Sequence, residues 1–302
     1  IDCISGGNQM EKSSIKRENL KHNFLKQIII RADYRGVDEV EITQILPQIK
    51  DYLNSQNYVK YRTEVAKEID FQLEDPNTDM EFITKSSNVR QTIVHVFQNK
   101  ESGIFVKISS SFVFATIEMA KYQNCLKYCT EIEEIINYIK IKAKFFELVR
   151  FGIRKINQCI LLDVSKLNDY FEDKLFRLYN INELTQSKTF QSKDCFAIKD
   201  LFDVNLICTI VCGEINDQTP AYQVTFDSDI YLLEEHCLKL QDSFSSTATE
   251  MNEFLFEIYK EAITLPFLEK LMKPDFVNND EINGVEVGGQ AVLGRQLGAT
   301  TP

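Results

Sequence analysis

The sequence predicts an α+β fold, in which antiparallel strands pack on segregated long helices. Several segments alternate apolar and polar residues, which is typical of strands with one wet face. Two segments carry apolar stripes at helical spacing. The order strand, helix, several strands, long helix occurs twice along the 302 residues. We therefore expect two pseudo-repeated β-α-β(3–4)-α units with antiparallel sheets packed on long helices, a helix-grip-like arrangement by analogy.

The first copy is expected to occupy residues 16–143. Its clearest strand alternates apolar residues with charged ones between Val59 and Leu73, and its clearest helix has an apolar stripe that ends at Ile139. Pro47 lies inside the first helical pattern, so that helix is either kinked or begins near it. The elements expected here are a strand over 24–34, a helix over 42–53, strands over 59–73, 90–98, 103–109 and 111–118, and a helix over 122–139.

The second copy is expected to occupy residues 144–273. Its elements should be a strand over 148–162, a helix over 164–178, a polar loop over 181–193, strands over 194–202, 204–213 and 220–232, and a helix over 246–262 with a short helical piece after it. Both ends differ in character from this pattern. Residues 1–15 are expected to be a leader, partly foreign because the first Met is Met10, and the Gly-rich residues 274–302 are expected to lie outside the fold.

Composition limits the classes of partner. Asp and Glu number 45 against 34 Lys and Arg, a net charge of −11, which argues against sequence-independent binding to nucleic acid but leaves room for a local basic patch. No apolar run approaches the roughly 20 residues of a membrane-spanning helix, so no membrane partner is expected. The eight Cys lie mostly in apolar segments, which indicates reduced thiols in the cytoplasm. We find no Gly-rich phosphate loop, zinc ribbon or nucleophile elbow, so no cofactor or metal is expected and no catalytic residue is identified.

The candidate site rests on an Arg-x-Gly-x-Arg pattern in a predicted strand. Arg150 and Arg154 should project from the same face, with Gly152 as an open floor between them. Two guanidinium groups in this arrangement could hold a carboxylate or a phosphate. Alternatively they could pair with Asp227 and Asp229, which share the polar face of another strand. A hard metal on the two Asp residues is the weaker alternative, because no ligand spacing supports it.

Five stretches resemble one known family. They are FLKQIIIRADY, FVKISSSFVFATIEMAKY, ELVRFGIRKINQCILLD, VTFDSDIYLLEE and EMNEFLFEIYKEAITLPFLEKLM. The chain resembles a sporadically distributed prokaryotic family of roughly this length whose biochemical function is uncharacterised, and the resemblance spans about residues 16–273. Its most specific part is the Arg-x-Gly-x-Arg-x-x-Asn run, which ends at Asn157. Lys155 stands where the family usually has an aromatic residue. The patchy distribution of that family resembles that of mobile-element and defence genes.

Two functions remain open from the sequence. The first is a non-enzymatic interaction or sensing module whose partner is a protein, including another copy of the chain. The second is an enzyme or a small anionic-ligand receptor with a site at the junction of the two repeats, built from Arg150, Arg154, Asn157, Asp227 and Asp229. Geometry separates the two, because an arginine pair already neutralised by carboxylates favours the first.

Overall fold

Antiparallel strands and helices together confirm the α+β class in the computed structural model. The structure describes residues 11–69, 89–100, 104–119, 124–176, 189–215, 219–238, 240 and 243–276. None of the helices in these ranges is long and apolar enough to cross a membrane.

The elements of the amino-terminal half match the periodic patterns closely. They are β1 Leu25–Arg35, α1 Glu39–Ser55, β2 Tyr58–Ile69, β3 Val89–Asn99, β4 Phe105–Ile108, β5 Phe112–Glu118 and α2 Cys125–Lys142. Helix α1 begins at a capping box, in which Asp38 accepts from the backbone of Glu41 and the Glu41 carboxylate accepts from the backbone of Asp38. Pro47 lies inside this helix and does not end it. The last four residues of the strand expected over 59–73 lie outside the described ranges.

The carboxyl-terminal half holds the remaining elements. They are β6 Glu147–Leu161, α3 Leu167–Tyr170, β7 Thr189–Ile198, β8 Phe202–Ile215, β9 Thr219–Leu233, α4 Glu235–Leu238, α5 Phe244–Ala262 and α6 Leu265–Leu271. Residues 189–193 were expected in a polar loop, and they form the first half of β7 instead. Their backbone pairs with β8 from Thr189 opposite Val211 onward.

The helix expected over 164–178 is wrong as a continuous element. Asp163 caps a short 3-10 turn, α3 then lasts four residues, and Phe171 adopts an extended conformation that pairs with Ile263. Tyr170 and Phe171 are both buried, and the Tyr170 ring packs 4.4 Å from that of Phe267. Aromatic burial against α6 therefore overrides the helical period of this segment.

The chain divides into two compact units that are discontinuous in sequence. The first unit takes in the described residues of 27–153 and 231–250. The second unit takes in those of 1–26, 154–230 and 251–302. Strands β1, β6 and β9 and helix α5 each contribute residues to both units. The predicted repeat boundary between residues 143 and 144 is a division of sequence pattern, and it stays a prediction.

In the first unit, the hydrogen-bonded order β2-β3-β4-β5-β1 is antiparallel throughout. Helix α1 packs on β2, α2 packs on β5, and the two helices pack on each other. Ile30 lies opposite Ala115 and Ile28 opposite Ile117, so alternate residues of β1 and β5 face the helices. The buried helix residues that complete this core are Ile42, Ile45, Ile49, Leu53, Ile132, Ile135, Ile136 and Ile139.

In the second unit, strands follow the order β6-β9-β8-β7, and their apolar face packs on α5 and α6. Phe24 stacks on Phe267 with 5.5 Å between ring centroids, and Phe226 and Leu268 belong to the same buried cluster. This core fixes the side of β6 and β9 from which Arg154 and Asp227 project.

Candidate functional site

Strand β6 carries the whole Arg-x-Gly-x-Arg-x-x-Asn run. Burial alternates along it: Lys155, Asn157 and Cys159 are buried, whereas Arg154 is half-buried. Successive side chains of a strand point to opposite faces. Asn157, three residues after Arg154, therefore projects from the opposite face, and the five predicted site residues do not all converge.

Arg154 and Asp227 come together as a two-pronged ion pair. The Nε atom of Arg154 donates to Oδ1 of Asp227 at 2.8 Å, and its Nη2 atom donates to Oδ2 of the same carboxylate. Side-chain exposure is 24% for Arg154 and 9% for Asp227. This parallel geometry uses both carboxylate oxygens of Asp227 and two of the guanidinium donors.

The electrostatics of this pair follow from the same contacts. The pKa of Arg154 is raised, first by its hydrogen bonds to Asp227, against the opposing effect of burial, and further by the charges of Asp227 and Asp229. Asp229 thus acts on Arg154 through its charge. The alternation that predicted these three residues on one side of their strands is consistent with this arrangement.

Arg150 has a different set of neighbours in the first unit. Its Nη1 atom lies 3.7 Å from Oδ2 of Asp33, and its guanidinium lies 4.6 Å from the centre of the Tyr231 ring. Asp33 also accepts a 2.7 Å hydrogen bond from Nε of Arg31. A carboxylate and an aromatic ring therefore surround the Arg150 charge, and Asp33 is a partner that the sequence did not suggest.

Asn157 serves the core of the second unit. Its amide donates to the backbone oxygen of Phe226 at 3.3 Å. It also lines a narrow crevice of about 190 Å³, whose other walls are mainly apolar side chains such as Phe24, Val224 and Ile263. The location of this crevice on the core side indicates a packing role for Asn157.

Lys155 is a buried cation that the sequence reasoning did not select as a site residue. Its Nζ atom donates to Oδ1 of Asn252 at 2.6 Å, and the same oxygen accepts from Arg17 at 3.0 Å. Arg17 in turn lies over the Phe256 ring at 4.9 Å. The signal was available, because Lys155 occupies an inward position of an alternating strand, where a charged residue is unusual.

The described cysteines are all free thiols. Burial raises the pKa of both Cys208 and Cys237 to about 12, which makes them poor nucleophiles. Cys237 follows His236 directly, but its thiol contacts the backbone oxygen of Leu232 at 3.5 Å. Among the described residues, no three His, Cys, Asp or Glu side chains gather as a metal site would require.

No protein-family model and no curated protein matches this sequence.

Proposed function

We propose that this protein is a non-enzymatic interaction or sensing module that works through contacts with a protein partner. The observation that carries the proposal is the closed pair between Arg154 and Asp227. A guanidinium whose fork is already filled by a buried carboxylate has lost the geometry that would grip a ligand carboxylate or phosphate. Arg150 supports the same conclusion, because Asp33 and the Tyr231 ring surround its charge.

The biological setting belongs to the same proposal. The free cysteines suit a reducing compartment, and we place the protein in the cytoplasm on that ground. The resemblance to a sporadically distributed prokaryotic family supports a link to mobile elements or defence. Gene neighbourhood is the measurement that tests this link, and neighbours drawn only from housekeeping operons would refute it.

The finer architecture is also proposed. The orders β1-α1-β2-β3-β4-β5-α2 and β6-α3-β7-β8-β9-α4-α5 share a strand, a helix, a run of antiparallel strands and a long helix. A repeat with helix-grip character would explain this parallel. Superposition of residues 24–140 on 147–262 in a crystal structure would support the repeat if strand order and direction match, and would refute it if they do not.

Replacing Arg154 tests the functional proposal directly. Arg154→Ala leaves the Asp227 carboxylate buried without its partner, and we expect a loss of about 3 kcal/mol in the free energy of unfolding. The matched control is Arg35→Ala. Arg35 also pairs with both oxygens of a carboxylate, that of Glu147, at 2.6 and 2.7 Å, but this pair is exposed, so its loss should lower the free energy of unfolding less than Arg154→Ala does. Urea unfolding measures both losses.

A ligand titration separates the module from the receptor. With inorganic phosphate or acetate added to the wild-type protein, we expect no rise in the melting temperature beyond that of Arg154→Ala. A rise with either anion that Arg154→Ala abolishes, together with near-normal folding of that variant, would establish an anion receptor and overturn the proposed function.

A further inference from the structure

Strand β2 is an edge of the sheet in the first unit. β3 pairs along one side of it, and no strand within the described ranges pairs along the other. An edge of this kind presents a row of unpaired backbone N–H and C=O groups to any strand that approaches. Every residue over 59–66 is exposed or half-exposed, so the side chains leave this edge accessible.

Large apolar side chains are exposed at this same edge. Val65 is 63% exposed and Tyr61 41%, and Ile93, which lies directly opposite Val65 on β3, is exposed as well. The Tyr61 ring is held in place, because Lys50 lies 3.7 Å from its centre and its hydroxyl is 2.9 Å from Nδ1 of His95. Exposed apolar groups gathered beside an open edge are typical of an interaction surface.

The charges on the other face of β2 form a complementary set. Arg62 and Glu64 share that face, and Nη2 of Arg62 lies 2.8 Å from Oε1 of Glu64. Lys107 of the first unit also holds Glu64, with its Nζ atom 2.9 Å from Oε2. A positive and a negative side chain spaced two apart on one strand can be matched by the same strand running in the opposite direction.

The sequence of β2 is self-complementary in one antiparallel register. With a two-fold axis at Thr63, each Arg62 lies opposite Glu64 of the second copy. On the other face, each Tyr61 lies opposite Val65 of the second copy, an aromatic and β-branched pair of the kind that stabilises neighbouring strands. Lys60 lies opposite Ala66, so no like charges meet between residues 60 and 66.

The neighbouring registers are unfavourable. Two residues that face each other in an antiparallel pair must both direct their backbone groups to the partner or both away from it, so the axis can move only by whole residues. An axis at Arg62 places two arginines opposite each other, and an axis at Glu64 places two glutamates there. Like charges directly opposite each other destabilise a strand pair. Of these three centres, Thr63 is the preferred one.

We propose that β2 is a self-association edge, on which a second copy of this chain pairs its own β2 antiparallel about Thr63. The pairing is isologous, so one strand satisfies both halves of the interface and the assembly closes as a dimer. The apolar row Ile93 and Val65 of one copy continues into Tyr61 and Phe97 of the other, because Tyr61 lies opposite Phe97 within each copy. This inference deepens the proposed function, on which it rests, by naming the partner as a second copy.

The first experiment measures self-association. Sedimentation velocity of the full chain over a wide concentration range should show a reversible shift from the monomer mass to twice that mass. A small edge-to-edge interface implies a concentration-dependent dimer rather than a permanent one. A wild-type chain that stays monomeric at every concentration would overturn the proposal.

Charge reversal tests the register. Arg62→Glu places glutamate opposite glutamate twice in the dimer, and Glu64→Arg places arginine opposite arginine twice. Each variant should weaken dimerisation by about tenfold or more. The double variant R62E/E64R restores opposite charges at both positions and should dimerise like the wild type. A matched control is Lys60→Glu, because Lys60 faces Ala66 and its reversal should change dimerisation little.

Mixing the two single variants gives the sharpest test. A chain with Glu at both positions complements a chain with Arg at both, so R62E and E64R should form a heterodimer when combined, which native mass spectrometry can resolve by mass. Circular dichroism and melting curves check that each variant folds. Wild-type dimers that both single variants leave unchanged, or a mixture with no heterodimer, would overturn the Thr63 register.

The apolar face supplies an independent variant. Val65→Asp changes an exposed side chain, so folding should be preserved while the contact with Tyr61 of the second copy is lost, and dimerisation should fall at least tenfold. Folded V65D with unaltered dimerisation would place the interface elsewhere. These outcomes are separate from the test of the proposed function, because the Arg154 variant and the anion titration do not involve β2.

Discussion

Glu131 is a buried carboxylate whose ionised form is disfavoured by its surroundings. It lies on α2 among buried isoleucines, and its carboxylate accepts a 2.8 Å hydrogen bond from the hydroxyl of Tyr58. Burial raises the pKa of Glu131, and the Tyr58 hydrogen bond opposes that effect only partly. The ionised form of Glu131 is therefore less favourable in the folded protein than in the unfolded chain.

We predict that stability falls with rising pH because of Glu131. Its folded pKa lies above the ordinary value of 4.5, so its contribution is fully present below that value and is lost as pH rises through the folded pKa. Glu131→Gln should remove this slope. Urea unfolding at a series of pH values from 4.5 upward measures it, with the exposed Glu134→Gln as control. Equal slopes in wild type and E131Q would contradict the prediction.

The hydroxyl of Tyr58 should stabilise the ionised form of Glu131. Tyr58→Phe leaves a buried carboxylate without its donor, and we expect a loss of about 1–3 kcal/mol in the free energy of unfolding at neutral pH. The Glu131→Gln background should reduce that loss, since a neutral amide tolerates burial better than a carboxylate. Equal losses in both backgrounds would show that the two side chains are not coupled.

Residue positions were predictable from the sequence only as far as strand alternation reaches. Alternation placed Arg154 and Asp227 on matching sides, and the structure joins them. It could not reveal that Asp33 accompanies Arg150, because that depends on β1 lying beside β6 in the sheet. Asn157 was grouped with the arginines by its place in the motif, although the period of two already puts it on the other face.

At the scale of elements, the turn between β1 and α1 shows how tightly two segments meet. Gly36 has φ +80°, and a Cβ atom there would lie 1.8 Å from the backbone oxygen of Phe145. Phe145 stands just before β6, so this contact joins the end of β1 to the start of β6 within the first unit. Only glycine satisfies both the backbone conformation and the close approach.

Gly36→Ala should destabilise the protein by about 3 kcal/mol, because the positive φ and the collision with Phe145 both oppose a side chain. Asp38→Ala, two residues away, removes the cap of α1 without a collision and should cost about 1 kcal/mol. Thermal and urea unfolding compare the two. A Gly36→Ala loss no larger than that of Asp38→Ala would show that the turn relaxes around the new methyl group.

Elements with a sustained period were predicted well, and elements defined by tertiary contacts were not. Strand β5 and helix α2 match their patterns within a few residues, since a long period leaves little choice. The helix expected over 164–178 failed because Phe171 pairs with Ile263, a residue distant in sequence. Residues 189–193 were expected in a loop because most of them are polar. They belong to β7 instead, and the pairing of β7 with β8 leaves most of them exposed.

At the scale of the whole molecule, the compact units are not consecutive stretches of the sequence. The sequence pattern predicts two consecutive copies, whereas each of the two compact units consists of separate stretches of chain. Their limits fall within β1, β6, β9 and α5 rather than in a linker, because strand pairing and helix packing, not chain order, decide which residues contact each other. Composition cannot report such a division, since both units draw on similar alternating strands.

This division makes a prediction about unfolding. Cys208 lies in the second unit and Cys237 in the first, and burial raises the pKa of each thiol to about 12, so neither should react with iodoacetamide in the folded protein. Exposed Cys195 should react at once and serves as the internal control. Strands β6 and β9 are each one continuous stretch of chain with residues in both units, so unfolding one unit releases one end of each strand. We therefore expect Cys208 and Cys237 to become reactive at the same urea concentration, as measured by pulse labelling and peptide mass spectrometry. Labelling of one thiol at clearly lower urea than the other would show that the two units unfold independently.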